Sequence, residues 1–230
     1  MTTISNALQA VRERIARAAV QCGRAPASIA LLAVSKTFGP DLIRAAHNGG
    51  QRAFGESYTQ EALPKIAALP ELDLEWHFIG PLQSNKTKPI AEHFAWVHGV
   101  DRAKIAQRLS EQRPPELPPL NICLQVNVSG ESSKSGVAPA QLAALAHEVA
   151  ALPRLKLRGL MAIPAPTEDA AQLRAAFGSV RELFEQLNAQ GFALDTLSMG
   201  MSSDLEAAIQ EGATIVRVGS AIFGERGNPL

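Results

Sequence analysis

The sequence predicts an α/β fold, a (β/α)8 TIM barrel with an extra amino-terminal helix. Eight short apolar runs alternate with helical segments, the links between them are short, and 230 residues suit a single barrel of this kind. Strand, helix and strand repeated in this way indicate parallel pairing, which eight strands most simply complete by closing. An open doubly wound sheet is the alternative, but no GxGxxG fingerprint follows the first strand.

An amphipathic helix is expected before the barrel. Apolar residues recur at helical spacing at Ile4, Leu8, Val11, Ile15 and Ala18. Arginines lie among them, which is unlike the apolar core of a secretory signal. We therefore expect this helix to pack on the body of the protein.

The strands are predicted from short apolar runs. Their ranges are 29–34, 52–54, 75–79, 96–100, 121–128, 156–163, 196–199 and 215–218. The first run is continuously apolar rather than alternating, as expected for a parallel strand that is covered on both faces.

The helices are predicted between these strands, at 40–48, 58–69, 85–93, 102–112, 138–152, 167–190 and 204–211. No linker rich in Pro, Ser or Gly divides the chain. The proline-rich RPPELPPL stretch at 113–120 is typical of a turn before the fifth strand. One domain over residues 1–230 is therefore predicted.

Composition excludes several classes of protein. Lys plus Arg and Asp plus Glu both number 22, so no bulk affinity for nucleic acid or anionic membranes is expected. The only cysteines, Cys22 and Cys123, lack ligand spacing, which argues against a disulfide framework and a zinc site and favours a reducing, cytoplasmic compartment. No apolar stretch reaches the ~18 residues of a membrane span.

The first strand ends at Lys36, in LLAVSKTFGP. Two interpretations are open for this lysine. It can be a solvated strand end whose charge prevents pairing with another chain. It can also be an amine held in a pocket for Schiff-base chemistry.

Polar and small residues collect at the carboxyl ends of the strands, where barrel enzymes build their sites. Ser202 and Ser203 follow the seventh strand, where they can also be simple N-caps. Gly219 and Ser220 follow the eighth strand and leave room for a ligand. The loops after these two strands often hold phosphate. A phosphorylated ligand opposite Lys36 then indicates either pyridoxal phosphate or a sugar phosphate.

Arg217 lies in the last strand between Val216 and Val218, so its side chain points to the face opposite theirs. One of those faces is the barrel interior. An interior guanidinium needs an acceptor, and a pyridine nitrogen is one. An outward arginine paired with a helix carboxylate fits the spacing equally well.

Several motifs carry a resemblance to a known family. In order they are AVSKT, FGESYTQE, WHFIGPLQSNK, VNVS followed by ESSKSG, GLM, SMGMSSD and VRVGSAIFG. Over nearly its whole length the chain resembles the pyridoxal phosphate homeostasis proteins, single-domain relatives of the amino-terminal barrel of bacterial alanine racemase.

The resemblance implies a set of site residues. Lys36 would hold pyridoxal 5′-phosphate (PLP) as a Schiff base, and Arg217 would face the cofactor ring near its nitrogen. The phosphate would be held by Ser202, Ser203, Gly219 and Ser220. Asn85 and Lys134 match further candidate cofactor positions. Ser57 stands where the family usually has Asn, so a hydrogen bond of that Asn does not carry over.

Strong catalytic turnover is not expected from this site. An arginine beside the pyridine nitrogen disfavours its protonation and weakens the electron sink. Racemisation needs a second acid/base group, and the single tyrosine, Tyr58, is only a weak candidate that fits packing as well. His77 and His98 are assigned no role.

The expected function is therefore reversible PLP binding in intracellular vitamin B6 homeostasis, by a monomer whose candidate partners are PLP-dependent apoenzymes. A PLP-dependent amino-acid racemase or lyase is the first alternative, and turnover that is lost in Lys36→Ala would favour it. A cofactor-free Schiff-base phosphosugar enzyme is the second. A protein-binding module at the RPPELPPL turn is the third.

Overall fold

The computed structural model describes residues 3–130, 135–225 and 228–229. In these ranges eight parallel strands form a closed barrel. The strands are β1 (Ala30–Val34), β2 (Ala53–Glu56), β3 (Glu75–Phe78), β4 (Trp96–Val100), β5 (Leu120–Gln125), β6 (Leu155–Met161), β7 (Thr196–Ser198) and β8 (Ile215–Val218).

Helices precede and connect the strands. They are α1 (Ile4–Gln21), α2 (Pro40–Asn48), α3 (Thr59–Ala68), α4 (Thr87–His93), α5 (Ala103–Gln112), α6 (Leu142–Ala150), α7 (Ala170–Ala189), α8 (Leu205–Gln210) and α9 (Ser220–Phe223). No helix in the described ranges is long and apolar enough to cross a membrane.

Pairing of the first and last strands closes the barrel. Leu32 lies opposite Arg217 and Ala33 lies opposite Val218, while every other strand pairs with its neighbours in the chain. The predicted (β/α)8 barrel with an amino-terminal helix is thus confirmed. The open doubly wound sheet is wrong, since such a sheet has free edges.

Two elements end or begin at other residues than predicted, one at a strand end and one at a helix cap. The strand predicted at 121–128 ends at Gln125, because Val126 makes only an isolated bridge to Val137. The helix predicted at 167–190 begins at Ala170, because Asp169 caps it by accepting from the backbone N–H groups of Ala171 and Gln172.

The apolar core consists of two clusters. The larger one lies between the strands and the surrounding helices. A separate, smaller cluster of Trp96, Cys123 and Met161 occupies part of the barrel interior. The ring of His77 lies parallel to that of Trp96, with 5.4 Å between the ring centroids.

Helix α1 supports the outer layer near the carboxyl ends of β7 and β8. Its apolar face is buried and packs against α2, α8 and α9. Arg14 forms a 2.9 Å ion pair with Glu206 and donates to the backbone oxygen of Ser202 at 3.1 Å. The amino-terminal helix thus holds one of the loops that were predicted to bind phosphate.

Candidate cofactor site

A pocket of about 380 Å³ opens at the carboxyl ends of the strands, within the usual size range for small-molecule sites. It brings together candidate residues that are distant in the chain. Those that line it are Lys36, Ser202, Ser203, Arg217, Gly219 and Ser220. Ser57, the residue that departs from the family pattern, lines the same pocket.

The charges of this pocket suit an anion. Lys36 and Arg217 are the charged residues among the described residues that line it, and neither Asp nor Glu is present there. Ser202 and Ser203 come from the loop after β7, and Ser220 begins α9 directly after β8. The hydroxyl of Ser220 lies 3.3 Å from that of Ser202, so hydroxyl donors from two loops converge on one wall.

The backbone on either side of Lys36 is held from outside the barrel. Lys65 of α3 donates to the backbone oxygen of Ser35 at 2.9 Å. After the lysine, the backbone N–H of Thr37 donates to Glu61 at 2.8 Å. Thr37 has a φ of 71°, which is uncommon for a β-branched residue, and its hydrogen bond to the Glu61 carboxylate helps to hold this conformation.

A buried ion pair lies beneath this segment. Lys65 Nζ contacts Glu56 Oε1 at 2.8 Å, and the hydroxyl of Ser35 donates to the same oxygen at 2.6 Å. Glu56 is fully buried, and its Oε2 has no hydrogen-bond partner among the described residues. Burial raises the pKa of the Glu56 carboxyl, and the hydrogen bonds from Lys65 and Ser35 oppose that rise.

Glu56 and Lys65 were not singled out from the sequence. The only signal was a glutamate at the end of an apolar strand, inside the FGESYTQE motif. Nothing in the helical pattern of 58–69 separates Lys65 from a solvated lysine, and its burial arises only when α3 packs against β1 and β2.

Arg217 lies inside the barrel, which decides between its two predicted orientations. It is 3% exposed and donates from Nη1 to the backbone oxygen and hydroxyl of Ser198, at 2.5 and 2.8 Å. Its Nη2 donates to the backbone oxygen of Ala162 at 2.9 Å. Burial lowers the pKa of Arg217 to about 10, so the guanidinium is charged at neutral pH.

These groups fit PLP in their chemistry. The amine of Lys36 matches an aldehyde, and the hydroxyls of Ser202, Ser203 and Ser220 match the oxygens of a phosphate in a pocket of positive charge. Arg217 donates three hydrogen bonds to Ser198 and Ala162. Because a guanidinium has five N–H groups, donors remain for a ring nitrogen.

Two of the other candidates, Tyr58 and Asn85, do not line this pocket. Tyr58 is 48% exposed and lines a separate cleft with Gln83 and Lys86 rather than the Lys36 pocket. Asn85 is exposed in the short turn before α4 and is not among the residues that line either cleft. Lys134 lies outside the described residues.

An apolar groove of about 510 Å³ adjoins the pocket. Ile79, Ile163, Met201 and Ser203 line both spaces, so the pocket and the groove meet in one open mouth. In the described part of the chain, no group of three or more His, Cys, Asp or Glu residues could hold a metal ion.

Known proteins share this fold and sequence. The family model "Alanine racemase, N-terminal domain" matches residues 7–227. The pyridoxal phosphate homeostasis protein of Pseudomonas aeruginosa is 64% identical over 226 residues, which cover 98% of this chain and 97% of that protein. The pyridoxal phosphate homeostasis protein of Escherichia coli K12 is 52% identical over 236 residues, with 98% of each chain covered.

Solved structures agree with these matches. PipY of Synechococcus elongatus, solved with PLP bound, has a TM-score of 0.85 and 39% identity, with 96% of this chain and 100% of that chain covered. An alanine racemase of Clostridium difficile has a TM-score of 0.73 at 12% identity, covering 87% of this chain and 53% of the racemase, which is a likeness of fold alone.

Proposed function

This chain belongs to the family of the alanine racemase N-terminal domain, together with the pyridoxal phosphate homeostasis proteins, and from that premise we propose that it binds PLP reversibly and serves PLP homeostasis. One observation carries the proposal. Lys36 and the serine hydroxyls of the β7 and β8 loops line one pocket, in which Lys36 and Arg217 are the charged residues among those described.

Each of these residues has a distinct task. Lys36 Nζ would hold the aldehyde of the cofactor as a Schiff base, with release of one water molecule. The hydroxyls of Ser202, Ser203 and Ser220 would donate to the phosphate. Gly219 lets the loop after β8 approach β1, since a Cβ there would lie 3.2 Å from the backbone oxygen of Val34. Arg217 would donate to the ring nitrogen.

The position of Arg217 favours binding of the cofactor over catalytic turnover. The cofactor, when bound, can withdraw electrons from an attached amine if its ring nitrogen is protonated. Arg217 carries only donors and a positive charge, so it bonds the unprotonated nitrogen and disfavours that proton. Tyr58, the weak candidate for a second acid/base group, faces another cleft.

The open mouth supports exchange of the cofactor. Imine formation is reversible, and a reactive aldehyde held in this way is kept from stray amines. We propose one domain over residues 1–230 that acts in the cytoplasm as a monomer, with PLP-dependent apoenzymes as the acceptors of PLP.

Loading the purified protein with PLP tests the proposal. We expect a yellow protein whose visible absorption is lost when borohydride reduces the Schiff base to a secondary amine, which leaves the cofactor mass fixed on the peptide that contains Lys36. The same peptide map reports whether Lys134 is also labelled. Lys36→Ala is the control and should give no label at that peptide. A colourless, unlabelled wild-type protein would contradict PLP binding at this site.

A negative charge introduced at Ser202, one of the serines that line the pocket, tests where the phosphate lies. Ser202→Asp should weaken PLP binding roughly 30-fold, because a carboxylate about 4 Å from a phosphate repels it by about 2 kcal/mol at a partly exposed site. Gln60→Glu adds the same charge on the exposed start of α3 and should change the Kd less than about twofold. Fluorescence titration with PLP measures both, and equal effects would contradict this phosphate position.

A further inference from the structure

A line of hydrogen bonds crosses the interior of the barrel, from the cofactor pocket to the amino end. It begins at Arg217 in β8, whose Nη1 lies 2.8 Å from the hydroxyl of Ser198 in β7. The same hydroxyl lies 2.7 Å from Nδ1 of His98 in β4. Nε2 of His98 lies 2.9 Å from Nδ1 of His77 in β3, and Nε2 of His77 lies 2.8 Å from a carboxylate oxygen of Glu75.

The two ends of the line determine its direction. Arg217 can only donate, and an ionised Glu75 can only accept. The hydrogen bond from His77 lowers the pKa of Glu75, so this carboxyl is ionised at neutral pH. His77 must then carry its proton on Nε2 and accept at Nδ1.

This assignment of the His77 proton determines where the protons of His98 and Ser198 lie. Nε2 of His98 donates to Nδ1 of His77, so Nδ1 of His98 accepts from the hydroxyl of Ser198. With its proton turned toward His98, that hydroxyl presents lone pairs to Arg217. Every bond in the line therefore has one donor and one acceptor, and both imidazoles are neutral.

A second proton on either ring is disfavoured. Burial lowers the pKa of both histidines. The pKa of His98 is lowered further by repulsion from His77 whenever that ring is protonated, and by the charge of Arg217. A proton on Nδ1 of His77 would face the N–H of His98. Burial also raises the pKa of the neighbouring Cys123 thiol to about 12, so that group adds no charge.

We propose that Ser198, His98, His77 and Glu75 are positioning residues that hold the Arg217 guanidinium toward the pocket. Without an acceptor at His98, the Ser198 hydroxyl is free to rotate its proton toward Arg217, and one of the three bonds that hold the guanidinium is lost. The hydrogen-bond line is a property of the protein alone. Its effect on PLP rests on the proposed function.

Nitrogen-15 NMR of the ligand-free protein tests the line directly. We expect His77 and His98 as neutral Nε2–H tautomers from pH 8 to 6, assigned through the signals lost in His77→Gln and His98→Asn. The Nη protons of Arg217 should be slowly exchanging and resolved, and they should broaden in His98→Ala. An Nδ1–H tautomer on either ring, or unchanged Arg217 signals in His98→Ala, would overturn the proposal.

Binding of PLP supplies a second readout. His98→Ala should raise the Kd for PLP roughly fivefold, the effect of one lost hydrogen bond. His98→Asn retains an acceptor near the position of Nδ1 and should stay within about twofold of wild type. Cys123→Ala, which removes a buried interior side chain outside the line, should also stay within about twofold.

The outcomes separate the two proposals. A wild-type protein that binds no PLP contradicts the proposed function, and the NMR signals of Arg217 then decide on the hydrogen-bond line. Equal Kd values for His98→Ala and His98→Asn, in a protein that binds PLP, would show that the line does not position Arg217.

Discussion

Replacing Lys65 by methionine should lower the free energy of unfolding by about 3–5 kcal/mol, because it leaves the Glu56 carboxylate buried without its partner. Glu56 already lacks a hydrogen-bond partner for Oε2 among the described residues. The substitution also removes the bond from Lys65 to the backbone oxygen of Ser35. Urea denaturation, followed by far-UV circular dichroism, measures the loss.

The pH dependence of this loss has a definite sign. Burial raises the pKa of Glu56 in the folded protein, and removing Lys65 takes away a hydrogen bond that opposes the rise. The folded variant therefore binds a proton more readily than the unfolded chain, so its deficit should shrink as the pH falls from 8 to 5.

Two variants serve as controls for Lys65→Met. Lys88→Met removes an exposed lysine that lies 3.8 Å from Glu92 and should change stability by less than about 0.5 kcal/mol. Adding Glu56→Leu to Lys65→Met should restore most of the lost stability, because both buried charges are then gone. A double variant as unstable as Lys65→Met would show that the loss comes from packing rather than from an unpaired charge.

The same pair affects the candidate site, because it holds the strand end that carries Lys36. In Lys65→Met we expect slower and less complete PLP labelling of Lys36 even below the unfolding transition. Labelling that equals wild type would show that the bond from Lys65 to Ser35 is not needed to present the amine.

Gly159→Ala is the second substitution with a large expected effect, a loss of at least about 3 kcal/mol in the free energy of unfolding. Gly159 lies in β6 opposite Thr196 of β7. A Cβ at this position would lie 1.7 Å from the backbone oxygen of Thr196. The Thr196 oxygen belongs to the backbone of a paired strand, so it can move away only if the pairing of β6 with β7 is disrupted.

Denaturant unfolding of Gly159→Ala beside Gly39→Ala checks this expectation. Gly39 has an ordinary φ of −80°, and nothing lies within 4 Å of an added Cβ. Its substitution should cost about 1 kcal/mol or less, through a weaker cap of α2. A Gly159→Ala protein that is as stable as Gly39→Ala would contradict the close approach of these strands.

The sequence by itself determined the fold and the group of residues at the strand ends. Apolar runs of strand length between helical segments predict the eight strands, because burial on both faces requires continuous apolar residues. Closure of parallel strands then carries Lys36, Ser202 and Ser220 to one end, since parallel strands end on the same side. These steps use only local pattern and chain order.

The orientation of Arg217 was decided by the tertiary structure. Alternation along β8 puts this side chain on one of two faces, and only closure of the barrel makes that face the interior. The same closure brings Ser198 and His98 within hydrogen-bond distance across strands that are not neighbours in the sheet. No spacing in the chain encodes such a contact.

Only the tertiary structure shows which of the residues that follow the strands line the pocket. Tyr58 and Asn85 follow β2 and β3, as site residues of a barrel would, yet their loops lead them away from the Lys36 pocket. Lys65 has the sequence context of a surface lysine and is buried. Chain order determines which end of the barrel a residue occupies, whereas the direction of its side chain depends on packing against elements distant in sequence.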